Sequence, residues 1–443
     1  MNELTDISTI GEYDVVVCGA GPAGIGAAIA AAREGASTLL VEQLYHVGGM
    51  GTATPVNTWC DTQGGTIFDE LEQRVDALGQ AWRRFNPQGH TYPRGRVTLR
   101  GATVAMVALK MLREAAAEIM FGATAARALV EDNQVKGVFI ANRAGIFLVR
   151  ADTVIDCTAD AMVAAGAGAQ CLKGDPEDGR IMHVNFMFNI GGIDTDRYEQ
   201  QKPDDVELIE MIRAAHADGR LHAPKGVFRP APEVFPYHLS EQVLATNSWE
   251  IEKVDCSDPQ AVNDTLVDCQ LRALEVIEFL REHLPGYAEC FVSRFWEILG
   301  TRESQRIVGN YMLTRGDVLT GAKFDDGIAQ ACFFIDFHDS PPGVSIPYTL
   351  EYKQQNIPPE GGWYEIPYRC LVPQSVRGLL VAGRCICCDR SALASLRVMP
   401  TCMFLGQAAG TAAAMAVRQG IRVDEIDGVA VKQALGGESW SYM

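Results

Sequence analysis

The stretch Tyr13–Gln43, YDVVVCGAGPAGIGAAIAAAREGASTLLVEQ, decides how the rest of the chain is read. Val15, Val16 and Val17 form a β-branched run suited to a buried parallel strand. Gly19, Gly21 and Gly24 follow in G-x-G-x-x-G spacing, then an Ala-rich helix to about Gly35, then a second strand over Ser37–Val41 that ends at Glu42. Each part has a mechanical reason. Gly19 allows a tight turn, Gly21 lets the backbone approach a pyrophosphate, and Gly24 permits close helix packing. Pro22 and Ala23 open the helix, whose N-terminus offers free N–H groups and positive dipole charge to that pyrophosphate. Glu42, with Gln43 beside it, is placed to accept hydrogen bonds from a ribose 2′-hydroxyl. Strand, glycines, helix, strand and acid together predict a dinucleotide site. The acid would repel the 2′-phosphate of NADP, but the pattern by itself does not separate FAD from NAD.

The chain has 443 residues, 47% of them hydrophobic and 21% charged, so the expectation is a globular protein of two domains. Its net charge of −18 argues against a nucleic-acid partner, since phosphate recognition needs a basic footprint. The apolar run Ala20–Ala32 is broken by Arg33 and Glu34 and reads as a buried helix, so no membrane partner is expected. The opening MNELTDISTIGEYD carries acids where an export signal carries basic residues. A cytoplasmic location with thirteen reduced cysteines is therefore expected.

Three further segments bear on which dinucleotide is bound. LYHVGGMGTA holds Gly48, Gly49, Met50 and Thr52; ADTVIDCTADA is a strand ending in Thr158, Ala159 and Asp160; GLLVAGRC is a strand breaking at Gly383 and Arg384. After the last comes VMPTCMFLGQAAGTAAAMAV, a helix that Pro400 opens at its first turn. These segments resemble the flavoprotein version of the Rossmann-like fold. The chain is most similar to FAD-dependent oxidoreductases related to the flavin subunit of heterodisulfide reductase, and more distantly to fumarate reductase and succinate dehydrogenase flavoproteins. The resemblance covers nearly the whole chain, including TRESQRIVGNYMLT, IDFHD and IPYRCLVP. It implies non-covalent FAD, with Gly383 and Arg384 by its ribityl and phosphate part. Met399, Pro400 and Thr401 would face the flavin ring, with Gly406 pressed against a neighbouring helix or the cofactor. At Ala159 the sequence departs from the family, which usually has glycine there.

The fold class expected is α/β: a Rossmann-like FAD-binding domain with a central parallel sheet, a β-meander and a C-terminal return, carrying an inserted mixed α+β substrate domain. The boundaries are 12–180 for the first part of the FAD domain, 181–365 for the substrate-facing domain, and 366–443 for the return. Within them the patterns predict a helix over Gly101–Glu118 and a meander turning at Glu131–Asn133 and Arg143–Gly145. Beyond these come a strand in HVNFMFNIGG, a helix over Pro203–Gly219, a Pro-rich loop at 224–236, and a helix over Asn263–Leu284.

A flavin handles hydride or electron transfer, so the protein must position substrate and move a proton. Arg302, Ser304 and Arg306 would share a strand face, two arginines suited to clamping a carboxylate, or else a structural ion pair. His338, with Asp336 and Asp339 nearby, fits a general base, or a loop histidine before Pro341–Pro342. Tyr368, with Tyr364 and Arg369, would supply a proton donor or simply pack. His46 and His183 are lesser candidates. Cys385, Cys387 and Cys388 lack the spacing of a cluster or zinc site, so no metal is expected; they read as small buried residues, or as a dithiol near the flavin. The activity expected is hydride exchange between flavin N5 and a small polar metabolite, the small-molecule partner; the alternative is an electron-transfer subunit of a heterodisulfide-reductase-like complex. Oligomeric state is left open.

Overall fold

The computed structural model describes residues 7–60, 65–84, 96–222, 244–245, 250–339, 350–359 and 362–437. The Pro-rich stretch 224–236 and Pro341–Pro342 lie outside them. The chain divides into two compact units, one of Met1–Thr52, Asn57–Gly179 and Glu303–Met443, the other of Ala53–Val56 and Arg180–Arg302.

The first unit is built on a sheet from β1 (Thr9–Cys18), β2 (Thr38–Glu42), β3 (Glu118–Phe121), β4 (Thr124–Glu131), β5 (Gln134–Asn142), β6 (Gly145–Asp156) and β7 (Leu379–Val381). Helix α1 (Pro22–Arg33) joins β1 to β2, and α2 (Gly101–Glu114) leads into β3. Strands β3, β2, β1 and β6 lie side by side and parallel, with β5 and β4 continuing antiparallel from β6. Valines 15–17 are fully buried at the centre, as a strand covered on both faces requires. Strand β6 is the hinge of the design. Its first half pairs with β5, whereas Val154–Asp156 pair in parallel with β7. The C-terminal return thus places Val381 opposite Asp156, which is itself opposite Cys18.

The meander is as the pattern predicts. Asp132 and Asn133 both have positive φ, at 50° and 61°, so β4 and β5 join through the two-residue left-handed turn that matches strand twist. Helices α3 (Arg390–Leu396) and α4 (Met399–Gln419) come next after β7. Backbone meets backbone where α4 crosses α1. A Cβ on Gly406 would stand 1.8 Å from the Ala23 carbonyl oxygen, one on Gly410 2.2 Å from that of Ala27, and one on Gly26 2.1 Å from that of Met403. The glycines of VMPTCMFLGQAAG are there to let the helices touch.

The second unit has its own core, including Phe188, Ile212, Val276, Leu280 and Tyr287. The single strand expected over HVNFMFNIGG is two: Val184–Asn185 pairs with Glu250–Ile251, and Phe188–Gly191 pairs with Phe291–Phe295. The long helix begins at Pro259, ahead of Asn263, because Asp258 caps it by accepting from the Gln260 N–H and proline occupies its first turn.

The first unit resumes at Glu303, well before residue 366. Strand Gln305–Ile307 pairs antiparallel with Cys171–Lys173, and Gly327–Ala331 pairs with Tyr364–Pro367. Arg302 and Ser304 precede the short strand, so the extended face expected for Arg302, Ser304 and Arg306 does not form.

Candidate dinucleotide site

The site starts at the N-terminus of α1. Gly21 is the N-cap, with no side chain capping the helix and Pro22 in its first turn. The N–H groups of Ala23 and Gly24 therefore lack acceptors inside the helix. The three fingerprint glycines then part company. A Cβ on Gly24 would sit 1.7 Å from the Gly19 carbonyl oxygen, and one on Gly19, at φ +96°, 2.7 Å from that of Cys157. A Cβ on Gly21 would meet nothing within 4 Å. Two glycines close the turn, and the third faces open space beside unpaired N–H groups, as an approaching pyrophosphate needs.

Three other segments surround that space. Gly48, at φ +116°, starts a tight turn that brings Gly49 so close that its Cβ would lie 2.9 Å from the Gly21 Cα. Thr52 secures this turn by donating to the Val47 carbonyl at 2.8 Å, with His46 Nδ1 3.2 Å from the same hydroxyl. On the turn's far side, a Gly51 Cβ would be 3.1 Å from Met399 Sδ at the start of α4. Helix α4 also begins without a side-chain cap, with Met399, Pro400 and Thr401 buried in its first turn. Gly383, at φ +99°, lies two residues past β7 with its Cβ position 3.3 Å from Ala23 Cβ.

The central strand end is held from two sides. Asp156 Oδ1 accepts from the Thr158 N–H (3.0 Å) and hydroxyl (2.7 Å), while Oδ2 accepts from the Ala164 N–H (2.8 Å). Burial pushes the Asp156 carboxyl up, and those hydrogen bonds pull it back toward the ionised form. Arg384 Nε donates to the Ala159 carbonyl at 3.0 Å and Nη2 to Asp160 Oδ1 at 2.6 Å; the Ser304 hydroxyl donates to that same Oδ1 at 2.5 Å. Ser304 is the residue that sequence reasoning left without a role. Nothing in its local pattern pointed to a partner 144 positions away.

Ala159 occupies φ +69° and Ala161 φ +53°, both in the region that favours glycine. Ala159→Gly should therefore raise stability by about 0.5 kcal/mol, roughly 1 kcal/mol of relieved left-handed strain less about 0.5 of added freedom in the unfolded chain. A urea midpoint lower than that of the wild type would show that this turn is not strained.

Glu42 is buried at the end of β2. Its Oε2 accepts from the Ala20 N–H at 2.6 Å and its Oε1 from the Leu44 N–H at 2.7 Å. These fix the carboxylate, and each oxygen keeps capacity for a further donor such as a ribose hydroxyl. Gln43 is exposed.

The candidate catalytic residues fare differently. Tyr368 is buried with its hydroxyl donating to the Val423 carbonyl at 2.9 Å, and burial pushes its phenol far up; it packs. Tyr364 likewise meets the Ser395 hydroxyl at 2.8 Å in the core, and Arg369 pairs with Asp326 at 2.9 Å. Arg306 is a buried structural cation 2.7 Å from Glu303. Arg302 belongs to the second unit, donating to the His183 carbonyl at 2.8 Å and lying 3.5 Å from Glu250. His338 stands in the first unit, partly exposed, with Nε2 3.1 Å from Asp336 Oδ2; Arg397 Nη2 lies 3.2 Å from that same oxygen.

Cys385, Cys387 and Cys388 are buried, and burial pushes all three thiols up. The Cys385 and Cys387 sulfurs face the carbonyls of Ala382 and Gly309. With protonated thiols in apolar surroundings, they behave as small core residues. Among the described residues no group of three or more His, Cys, Asp or Glu could hold a metal, and no helix is long and apolar enough to cross a membrane.

The family described as FAD dependent oxidoreductase matches residues 14–435. The chain belongs to this family. It is an oxidoreductase, its cofactor is FAD, and the open face of Gly21 with the uncapped starts of α1 and α4 suits that cofactor. The chain is 29% identical over 201 residues to the tRNA uridine 5-carboxymethylaminomethyl modification enzyme MnmG of Dichelobacter nodosus, covering 45% of this chain and 29% of that one. It is 33% identical over 152 residues to digeranylgeranylglycerophospholipid reductase 1 of Methanopyrus kandleri, covering 32% and 39%. The matched part thus spans about a third of those two relatives. Among solved structures, a geranylgeranyl bacteriochlorophyll reductase-like protein of Thermoplasma acidophilum aligns over 97% of this chain and 84% of its own, with 14% identity and a TM-score of 0.42.

Proposed function

We propose that this FAD-dependent oxidoreductase acts on a small polar metabolite and that His338 handles the proton of the reaction. One observation carries the reading. His338 shares a carboxylate oxygen of Asp336 with Arg397, and Arg397 leads through Val398 directly into α4, whose start is one wall of the dinucleotide site.

Bound FAD supplies a hydride acceptor or donor at N5. The N–H groups of Ala23 and Gly24 would hold its pyrophosphate, and Glu42 a ribose hydroxyl. The first turn of α4 offers N–H groups without a side-chain cap and positive dipole charge, which would stabilise negative charge on a reduced flavin bound there. When an alcohol or amine loses hydride from carbon, its O–H or N–H proton must leave too. His338 receives it at the ring nitrogen not bonded to Asp336, and in the reverse direction returns it.

The test is anaerobic reduction of the purified yellow protein by a panel of alcohols, 2-hydroxy acids and amines, followed at about 450 nm. At least one should bleach the flavin. With that compound, His338→Gln should slow bleaching by about a hundredfold at unchanged flavin content. Bleaching at the wild-type rate would remove His338 from the chemistry. A flavin reduced only through a partner protein would favour the electron-transfer role instead.

A further inference from the structure

Helix α3 carries an arginine at each end. Arg390 is its first residue and Arg397 its C-cap, seven positions on, so they stand about two turns or ~10 Å apart on one face. Asp336 and Asp339 are three positions apart, also about 10 Å in extended chain. The two spacings match, and the side chains meet: Arg397 Nη2 lies 3.2 Å from Asp336 Oδ2, and Arg390 Nη2 lies 2.9 Å from Asp339 Oδ2.

The backbone follows the same line. The Asp336 N–H donates to the Ala394 carbonyl at 3.3 Å, Arg397 Nη2 donates to the Asp336 carbonyl at 3.0 Å, and the Ser395 hydroxyl donates to the Phe333 carbonyl at 2.5 Å. The Phe337 ring lies 5.2 Å from the Arg390 guanidinium. His338, between the two tethered aspartates, is the least buried of the His338–Asp336–Arg397 set at 23% exposure, against 15% and 13% for its partners.

We infer that α3 is a two-arginine clamp that holds the 336–339 segment and, through Asp336, orients the His338 ring. Asp336, Arg397 and Arg390 are its positioning residues. The Asp336 oxygen, paired with Arg397, accepts from Nε2–H, and this contact selects the tautomer in which Nδ1 is the acceptor nitrogen of the ring. Nδ1 is then the atom that takes up or returns the substrate's proton. That last step rests on the proposed function; the clamp does not.

The test uses the flavin-loaded protein labelled with ¹⁵N in its histidines. A slowly exchanging, downfield Nε2–H proton is expected, assigned to His338 by its disappearance in His338→Gln. It should persist in Arg397→Lys and be lost in Arg397→Gln and Asp336→Ala, with flavin content and far-ultraviolet circular dichroism confirming that each variant folds. Should Asp336→Ala not fold, the lysine and glutamine variants at 397 still decide the matter. A signal unchanged in the variants lacking the Asp336 carboxylate or the Arg397 cation overturns the clamp. If the signal behaves as expected while His338→Gln reduces at the wild-type rate, the clamp stands and the proton role falls.

Discussion

Gly406→Ala is expected to cost about 3 kcal/mol or more and to release FAD, although it adds a single methyl group to a helix. In isolation the change would favour the helix by about 1 kcal/mol. In place, the new Cβ would lie 1.8 Å from the Ala23 carbonyl oxygen, 2.6 Å from its carbon and 2.9 Å from its Cα. All three are backbone atoms in the first turn of α1, so no rotamer change relieves the overlap. The helices must separate, and the contacts of Gly410 with Ala27 and of Gly26 with Met403 open with them. Because Ala23 borders the open face of Gly21, the same displacement moves the N–H groups assigned to the pyrophosphate. Gly166→Ala is the control: it is also helical, and its Cβ meets nothing within 4 Å. Urea midpoints and flavin retained after gel filtration read both effects. A yellow Gly406→Ala protein as stable as the control would mean that α1 and α4 do not pack backbone to backbone.

The two helices also show what sequence can and cannot reveal. Gly19, Gly21, Gly24 and Glu42 were legible because the turn, helix and second strand that they serve are consecutive, and local spacing encodes local geometry. The small residues of α4 were legible as a packing stripe, though not as contacts with Ala23 and Ala27. The departure of Ala159 from glycine was visible; that its backbone would adopt φ +69° regardless was not. The compact first unit takes the chain up again at Glu303, some sixty residues ahead of the expected return, through a three-residue strand paired with Cys171–Lys173. So short an element has no period to read. Tyr368 and Arg306 looked chemical because tyrosine and arginine carry chemistry; only burial and partners show them spent on Val423 and Glu303. The acid near His338 was visible two positions away, while the arginine that shares it comes 61 positions later.

Glu303→Ala should be the most damaging substitution of a charged residue. Glu303 is wholly buried, 2.7 Å from Arg306 Nη1 and 2.9 Å from Arg390 Nε, and both arginines are themselves buried. Burial pulls the Arg390 guanidinium down, yet the carboxylates of Glu303 and Asp339 outweigh it and lift it above its usual value. Removing Glu303 leaves two buried cations short of charge, at a cost of about 3–5 kcal/mol. Arg306 keeps the carbonyls of Cys388 and Gly174, and Arg390 keeps Asp339, so the protein should weaken without every partner being lost. The damage also has a direction. Ser304 follows in the chain and shares Asp160 with Arg384, so flavin affinity should fall along with the urea midpoint. Glu303→Ala combined with Arg306→Ala should cost less than the sum of the two single changes, because the second removes a cation that the first had stranded. Strict additivity, or a Glu303→Ala midpoint within 0.5 M of the wild type in urea (about 1 kcal/mol at a slope near 2 kcal/mol/M), would mean that this carboxylate does not hold the buried charges together.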